Sequence, residues 1–280
     1  MREIFDKLEF RPFSYEEDPE AVVDMHRCAE NLEGSWFDAE NTCKLHSKLI
    51  IKSPGSSWLV KYGNMVFGHA DLVKCPTGEA VVIALRIHTD YHYPQVVRKM
   101  VEGLKEQARK RECSGIIIFG DNSEVISDIA MIGLSPDREY SYARPIECET
   151  GLVLEYKQID IHPDDVVRHD LYPFLGTPLP AQYLSYRATM AAEQGLFHYR
   201  RPLYYEIKFG INTYIASFDG REWHIFRKGN FKGDREAIAS LLKTIATINP
   251  SRILLSAAAM EAAELIPASD GVLYDYFISL

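Results

Sequence analysis

The order of hydrophobic patterns repeats once along the chain, and that repeat limits the fold more than any single motif does. Residues 1–148 read as a strand over Leu8–Phe13, helices over Pro19–Asn31 and Asp38–Leu49, and strands over Ser57–Tyr62, Met65–Lys74 and Glu79–His88. A helix up to about Glu112, the strand Gly115–Gly120, a helix from Asn122 to Gly133 and a strand near Tyr140–Arg144 follow and close the half. Residues 149–280 read in the same order. They give strand Leu152–Ile161, helices Pro163–Leu175 and Ala181–Gln194, three strands around LYYEIKF, NTYIASF and EWHIFRK, helix Asp234–Ile248, strand RILLSAA, helix Met260–Ile266 and a last strand, VLYDYFISL. Turn chemistry supports the boundaries: Gly63-Asn64 and Asp219-Gly220 join strands, and Asp18-Pro19 starts a helix.

The expectation is an α/β (α+β) protein of two domains, 1–148 and 149–280, each a mixed sheet flanked by helices. No Ser/Pro/Gly-rich linker marks the junction near Glu147–Gly151. With 46% hydrophobic and 25% charged residues over 280 positions, the chain is globular rather than disordered. A formal charge of −9 argues against a nucleic-acid partner. The one dense basic stretch, Arg98–Arg111, is interleaved with Glu102 and Glu106 and reads as a solvated helix face. Five cysteines without a C-x-x-C and the lack of a leader pattern or a membrane-length apolar run lead us to expect a reduced, cytoplasmic setting and no membrane partner.

This order of elements resembles the GNAT superfamily of N-acyltransferases, and its doubling resembles tandem members of it. In that family the fourth strand leads into a diphosphate loop, R/Q-x-x-G-x-G/A, at the start of the next helix. There, backbone amides and the helix dipole hold the diphosphate of coenzyme A. The matching segment is HTDYHYPQVVRKM, with His92 at the Arg/Gln position and Gln95 and Val97 where the glycines would stand. The resemblance thus implies acetyl-coenzyme A as co-substrate, contacted by Leu85, Arg86, Ile87, His92, Gln95, Val96, Val97, Arg98, Lys99 and Asn122. Leu85–Ile87 would supply the amide for the thioester oxyanion. DNSEVISDIAMIGL matches the family's later N-x-x-A-x-x-x-Y-x-x-x-G-F segment at Asn122 and Gly133, with Ile129 in the place of the tyrosine acid. A water, Tyr91, Tyr93 or a tyrosine of the second half is left to protonate the thiolate.

The catalytic candidates are Glu79 as base, His88 as proton carrier and Tyr93. Each also has a plainer reading: a strand-end carboxylate, a loop histidine, an aromatic covering the sheet. His88, Asp90 and His92 form H-x-D-x-H, but three ligands in five loop residues are awkward, and no metal is expected. In the second half NFKGDR keeps one glycine, Gly233, and places Asp234 at the helix start, where it opposes a diphosphate. FHYRRPLYYEIKF reads as a strand of packed aromatics, or as a segment that accepts an anionic ligand or a strand-face partner. Two functions lead: an acyl-coenzyme A-dependent N-acyltransferase acting on a small-molecule or peptide amine, or a noncatalytic ligand-binding or scaffold protein that kept the fold; a third, an aminoacyl-tRNA-dependent transferase resembling the FemABX group, has the acidic balance and the lack of a basic arm against it.

Overall fold

The computed structural model describes residues 2–14, 55–120, 123–176, 178–193, 200–229, 232–267 and 272–280. The helices expected over Pro19–Asn31 and Asp38–Leu49 lie outside them. The chain divides into two compact units, Met1–Asp137 with Tyr274–Leu280, and Arg138–Leu273.

The first unit contains α1 (Arg2–Phe5), β1 (Glu9–Pro12), β2 (Gly55–Tyr62), β3 (Met65–Lys74), β4 (Ala80–Ile87), α2 (Pro94–Lys110), β5 (Gly115–Gly120) and α3 (Ser123–Met131). β1 to β4 form an antiparallel meander. Gly63, at φ 55, makes the tight turn from β2 to β3. Helix α2 lays Val96, Val97, Met100, Leu104 and Ala108, all at 0% exposure, on the sheet, where Trp58, Val60, Ala70, Leu72, Val82, Leu85 and Ile87 meet them. Each large side chain so buried stabilises the unit by roughly 1.5–3 kcal/mol. The helix ends at Lys110, and Glu112 turns the chain at φ 57.

The second unit takes in β6 (Arg138–Ala143), β7 (Tyr156–Ile159), β8 (Leu171–Phe174), α4 (Ala181–Glu193), β9 (Leu203–Phe209), β10 (Asn212–Phe218), β11 (Trp223–Lys228), α5 (Arg235–Ile248), β12 (Ile253–Ser256) and α6 (Ala257–Ala262). β7, β9, β10 and β11 repeat the antiparallel meander, and α5 packs Leu241, Leu242 and Ile245 into a core around Trp223 and Tyr214.

Two expectations are corrected. The strand near Tyr140–Arg144 does not close the first unit: β6 pairs antiparallel with β12, from Ala143 opposite Ile253 to Tyr140 opposite Ser256. The place beside β5 goes to β13 (Val272–Ser279), which runs antiparallel to it from Tyr274 opposite Gly120 to Ser279 opposite Gly115. Alternation tells a strand which face to bury, not which neighbour to take. β5 is apolar on both faces and accepts Tyr276 and Ile278 into the core, while Gly115 leaves room for the Phe277 ring. The second correction concerns Pro163–Leu175, which is not one helix. A 3-10 turn over Pro163–His169 stops at Asp170, left-handed at φ 48 and ψ 55, and β8 follows. Pro173 brings no amide to a helix, and a residue held in the left-handed region ends one.

Candidate active site

In the first unit β4 is an interior strand whose second edge is only partly paired among the described residues. Toward β3 it is paired along its length, with Ile83 opposite Asp71, Arg86 opposite His69 and Ile87 opposite Gly68. That register sets Ala84 and Leu85 together against Ala70, a bulge that bends the strand and re-aims its amides. Toward β5 it is parallel and in register only at Ala80, Val81 and Val82. From Ile83 to Ile87 no described residue pairs with this second edge. Backbone amides and carbonyls left open require a partner, from water or from a ligand.

The far end of β4 leads into the loop that carries most of the sequence candidates. The His88 amide donates to the Phe67 carbonyl at 2.9 Å, and its Nδ1 accepts the Asp90 amide at 3.2 Å. The Tyr91 ring lies 4.4 Å from that of Phe67 and 4.8 Å from that of His88. Tyr93 stacks edge-on against Phe5 at 5.2 Å, so both tyrosines cover the core. Tyr93 is also the N-cap of α2, with no side-chain hydrogen bond to the helix, and Pro94 follows at the first position. The Val96 and Val97 amides both turn back to the Tyr93 carbonyl, at 2.9 and 3.3 Å. The first turn therefore has Gln95 as its one amide without an acceptor among the described residues.

The side chains of Leu85, Ile87, Val96 and Val97 belong to the core, so any ligand contact from these four is through backbone. Arg86 is buried on the opposite sheet face, its Nη1 donating to the Leu85 carbonyl at 2.7 Å. Gln95 and Arg98 are exposed, three residues apart and hence on one side of α2, and Lys99 is half-buried. Asn122 lies outside the described residues. Glu79 precedes the other end of β4, about 20 Å along the strand from Leu85 at the usual rise. It is not brought together with His88. Its carboxylate instead adds to burial in pushing up the Cys75 thiol.

One partner at this loop was missed in the sequence. His92 Nδ1 and Asp128 Oδ1 are 2.7 Å apart, with Asp128, on α3, 1% exposed and the His92 side chain 23% exposed. The available signal was an acid on the apolar stripe of SEVISDIAM, between the buried Val125 and Ile129, where a lone carboxylate needs a counter-group. On the sheet face that α2 leaves, Ser57 and His69 are hydrogen-bonded and buried, with Asp71 3.6 Å from His69. Both contacts use His69 Nε2, so the three are not arranged as a relay through two ring nitrogens.

The second unit holds the matching strand pair, and it is closed. β11 is parallel to β12 at Trp223 and Ile253 alone. Its remaining edge is taken by β8, with Ile225 opposite Phe174, Phe226 opposite Pro173, Arg227 opposite Tyr172 and Lys228 opposite Leu171. Gly176 then presses on β12: a Cβ there would sit 2.9 Å from the Leu254 carbonyl oxygen. The Phe174 ring covers Gly233, the residue at the loop's glycine position. Asp234 caps α5 itself, accepting the Ala237 amide at 2.8 Å. Strand, ring and carboxylate thus fill the edge of β11 and the start of α5.

Asp219, Glu222 and His224 bring three possible metal-ligand atoms within 4.8 Å of one another. Asp219 Oδ1 already accepts the Arg221 and Glu222 amides, each at 2.9 Å, and Oδ2 lies 3.3 Å from His224 Nε2. Burial alone would raise this carboxyl, but His224, by hydrogen bond and charge, then the Glu222 amide and Arg187, hold it at about 2. Arg187 and Arg252 flank Glu222 at 4.0 and 3.8 Å. The cluster reads as a charge-balanced clasp on the β10–β11 turn.

No protein-family model matches the sequence, and no curated protein matches it by sequence. Solved structures do match by fold. A candidate acetyltransferase of Pyrococcus horikoshii superposes with a TM-score of 0.55 at 11% identity, over 98% of this chain and 90% of its own. A GCN5-related N-acetyltransferase from Kribbella flavida gives 0.54 at 10% identity, over 96% of this chain and 70% of its own. A tandem GNAT protein from the clavulanic acid biosynthesis pathway gives 0.50 at 15% identity, over 97% and 98%. At these identities the likeness is one of fold.

Proposed function

We propose, from a fold shared with GNAT acetyltransferases including a tandem one, that the first unit binds an acyl-coenzyme A and transfers its acyl group to an amine. The observation that carries this reading is the contrast between the two strand pairs. The edge of β11 is filled by a strand of the same chain, whereas the edge of β4 from Ile83 to Ile87 has no described partner. An extended arm bearing amides, such as the pantetheine of coenzyme A, can pair with an open edge as an added strand does. The anionic end then falls toward the start of α2, where the Gln95 amide, Arg98 and Lys99 are the available donors.

The chemistry asks for three things from this chain. A neutral amine nitrogen attacks the thioester carbon, forming the C–N bond while the carbonyl oxygen takes the electron pair. An amide among Leu85–Ile87, re-aimed by the bulge, stabilises that oxygen. The C–S bond then breaks, the thiolate gains a proton, and the nitrogen loses one. Tyr93 offers its hydroxyl to protonate the thiolate while water carries away the proton lost by the nitrogen; His88, whose Nδ1 accepts the Asp90 amide, carries its proton on Nε2 and can orient a group there by donating a hydrogen bond. Glu79, at the other end of the strand, is left out of this set. The acceptor is a small-molecule or peptide amine. The free, buried thiols of Cys75, Cys113 and Cys148 fit a reduced, cytoplasmic setting.

Isothermal titration with acetyl-coenzyme A, beside coenzyme A and 3′-phosphoadenosine, tests the reading. Saturable binding at one site per chain is expected, since the second unit is closed. Absence of binding at millimolar ligand overturns it and leaves the noncatalytic reading.

A further inference from the structure

We propose that His92 contacts the anionic part of the ligand only as an imidazolium, so that acyl-coenzyme A binding takes up a proton. This rests on the reading above and adds a mode of regulation to the same site. The argument is one of donors and lone pairs. Asp128 is buried and holds His92 Nδ1 at 2.7 Å. A neutral imidazole there has two tautomers. With the proton on Nδ1 the carboxylate contact is a good one, but Nε2 presents a lone pair, which repels a phosphate oxygen. With the proton on Nε2 a phosphate could be met, but Nδ1 then turns a lone pair on the carboxylate. Only the doubly protonated ring serves both anions at once.

Position and charge point the same way. His92 lies two residues before α2, whose first turn has Pro94 and a single open amide, so side-chain donors must supply what backbone does not. Its Nε2 has no hydrogen bond among the described residues, and the side chain is 23% exposed. The neutral ring leaves the pair at charge −1 and opposed to a diphosphate, while the imidazolium brings it to zero. Other titratable or charged groups on the surrounding elements include His88, Asp90, Tyr91 and Tyr93 on the loop, Arg98 and Lys99 on α2, and Glu124 on α3, four residues before Asp128. The control imidazole is His162 of the second unit, whose Nδ1 accepts the Asp164 amide at 3.3 Å. Asp128 acts through His92 and is a positioning residue.

The test is calorimetric binding of dephospho-coenzyme A to the full chain between pH 6 and 9, a probe without the 3′-phosphate whose own ionisation would confuse the count. Repeating it in buffers of different ionisation enthalpy gives the protons taken up. For wild type, net uptake and a Kd that rises with pH, by at most about tenfold per unit for one linked proton, are expected. H92Q should bind more weakly at pH 6, with a flat Kd and no uptake. D128N, whose amide can donate to Nδ1 and so admit the neutral ring with its proton on Nε2, should lower the uptake and flatten the Kd, and H162Q should match wild type. Unfolding midpoints measured alongside separate a lost fold from a lost proton. Equal uptake in H92Q and wild type, or wild-type binding without uptake, overturns the proposal and leaves the acyltransferase reading intact. No wild-type binding of acetyl-coenzyme A at any pH overturns both.

Discussion

Replacing Asp219 with Asn tests the clasp that holds the β10–β11 turn, and with it the closed strand pair of the second unit. The carboxyl lies at about 2 against an ordinary 3.8, a difference of nearly two units. At about 1.4 kcal/mol per unit, the hydrogen bonds and neighbouring positive charge that the Asp219 carboxylate finds, His224 first, then the Glu222 amide and Arg187, outweigh its burial by roughly 2 kcal/mol in the folded unit. Asn keeps an oxygen for the Arg221 and Glu222 amides but loses the negative charge facing His224. The sign follows from the depressed value: the contribution is complete above the unfolded carboxyl near 4 and disappears as pH falls through about 2. Urea unfolding of wild type and D219N, followed by tryptophan fluorescence since Trp223 is 1% exposed, should therefore give curves separated by roughly 2 kcal/mol at pH 7 that converge between pH 4 and 2. A separation that stays constant down to pH 2, or none at pH 7, would refute the electrostatic reasoning.

Three further outcomes are expected. Arg98 is exposed, so R98A should leave stability within about 0.5 kcal/mol of wild type while weakening coenzyme A binding by about 5–10-fold, less so at high salt; an unchanged Kd removes this residue from the site. In hydrogen exchange, acetyl-coenzyme A should slow amides within Ile83–Ile87 of β4 and leave those of Ile225–Lys228 unchanged, because β8 already pairs with them; protection of the second set alone would reverse the assignment of the two units. A Cβ at Gly103 would overlap the Phe10 ring, so G103A should destabilise the first unit by about 1–3 kcal/mol despite the better helix propensity of alanine, and F10A should relieve most of that penalty in a double-mutant cycle.

The elements around the candidate site were visible in residue types and spacing because they are local. The Gly63-Asn64 hairpin, the apolar GIIIFG strand, the Pro94 helix start and the capping Asp234 are each decided by a few adjacent residues whose backbone preferences agree. The mixed α/β fold follows from the same local signals, although the helix expected over Pro163–Leu175 does not form. What remained hidden depends on contacts across tens of residues. Asp128 looks like an oddity on an apolar helix until His92, 36 residues away, is set beside it.

The sequence by itself determined most of the described elements and their order, Pro163–Leu175 excepted, because helix and strand periods, turns and caps are written within windows of a few residues. Only the tertiary structure decided which strands are neighbours. That β6 lies against β12 and β13 against β5, and that β8 fills the edge of β11 while β4 is left open, are choices among partners whose own patterns are equally compatible. They are settled by which pairing satisfies the most backbone groups and buries the most apolar surface across the whole unit.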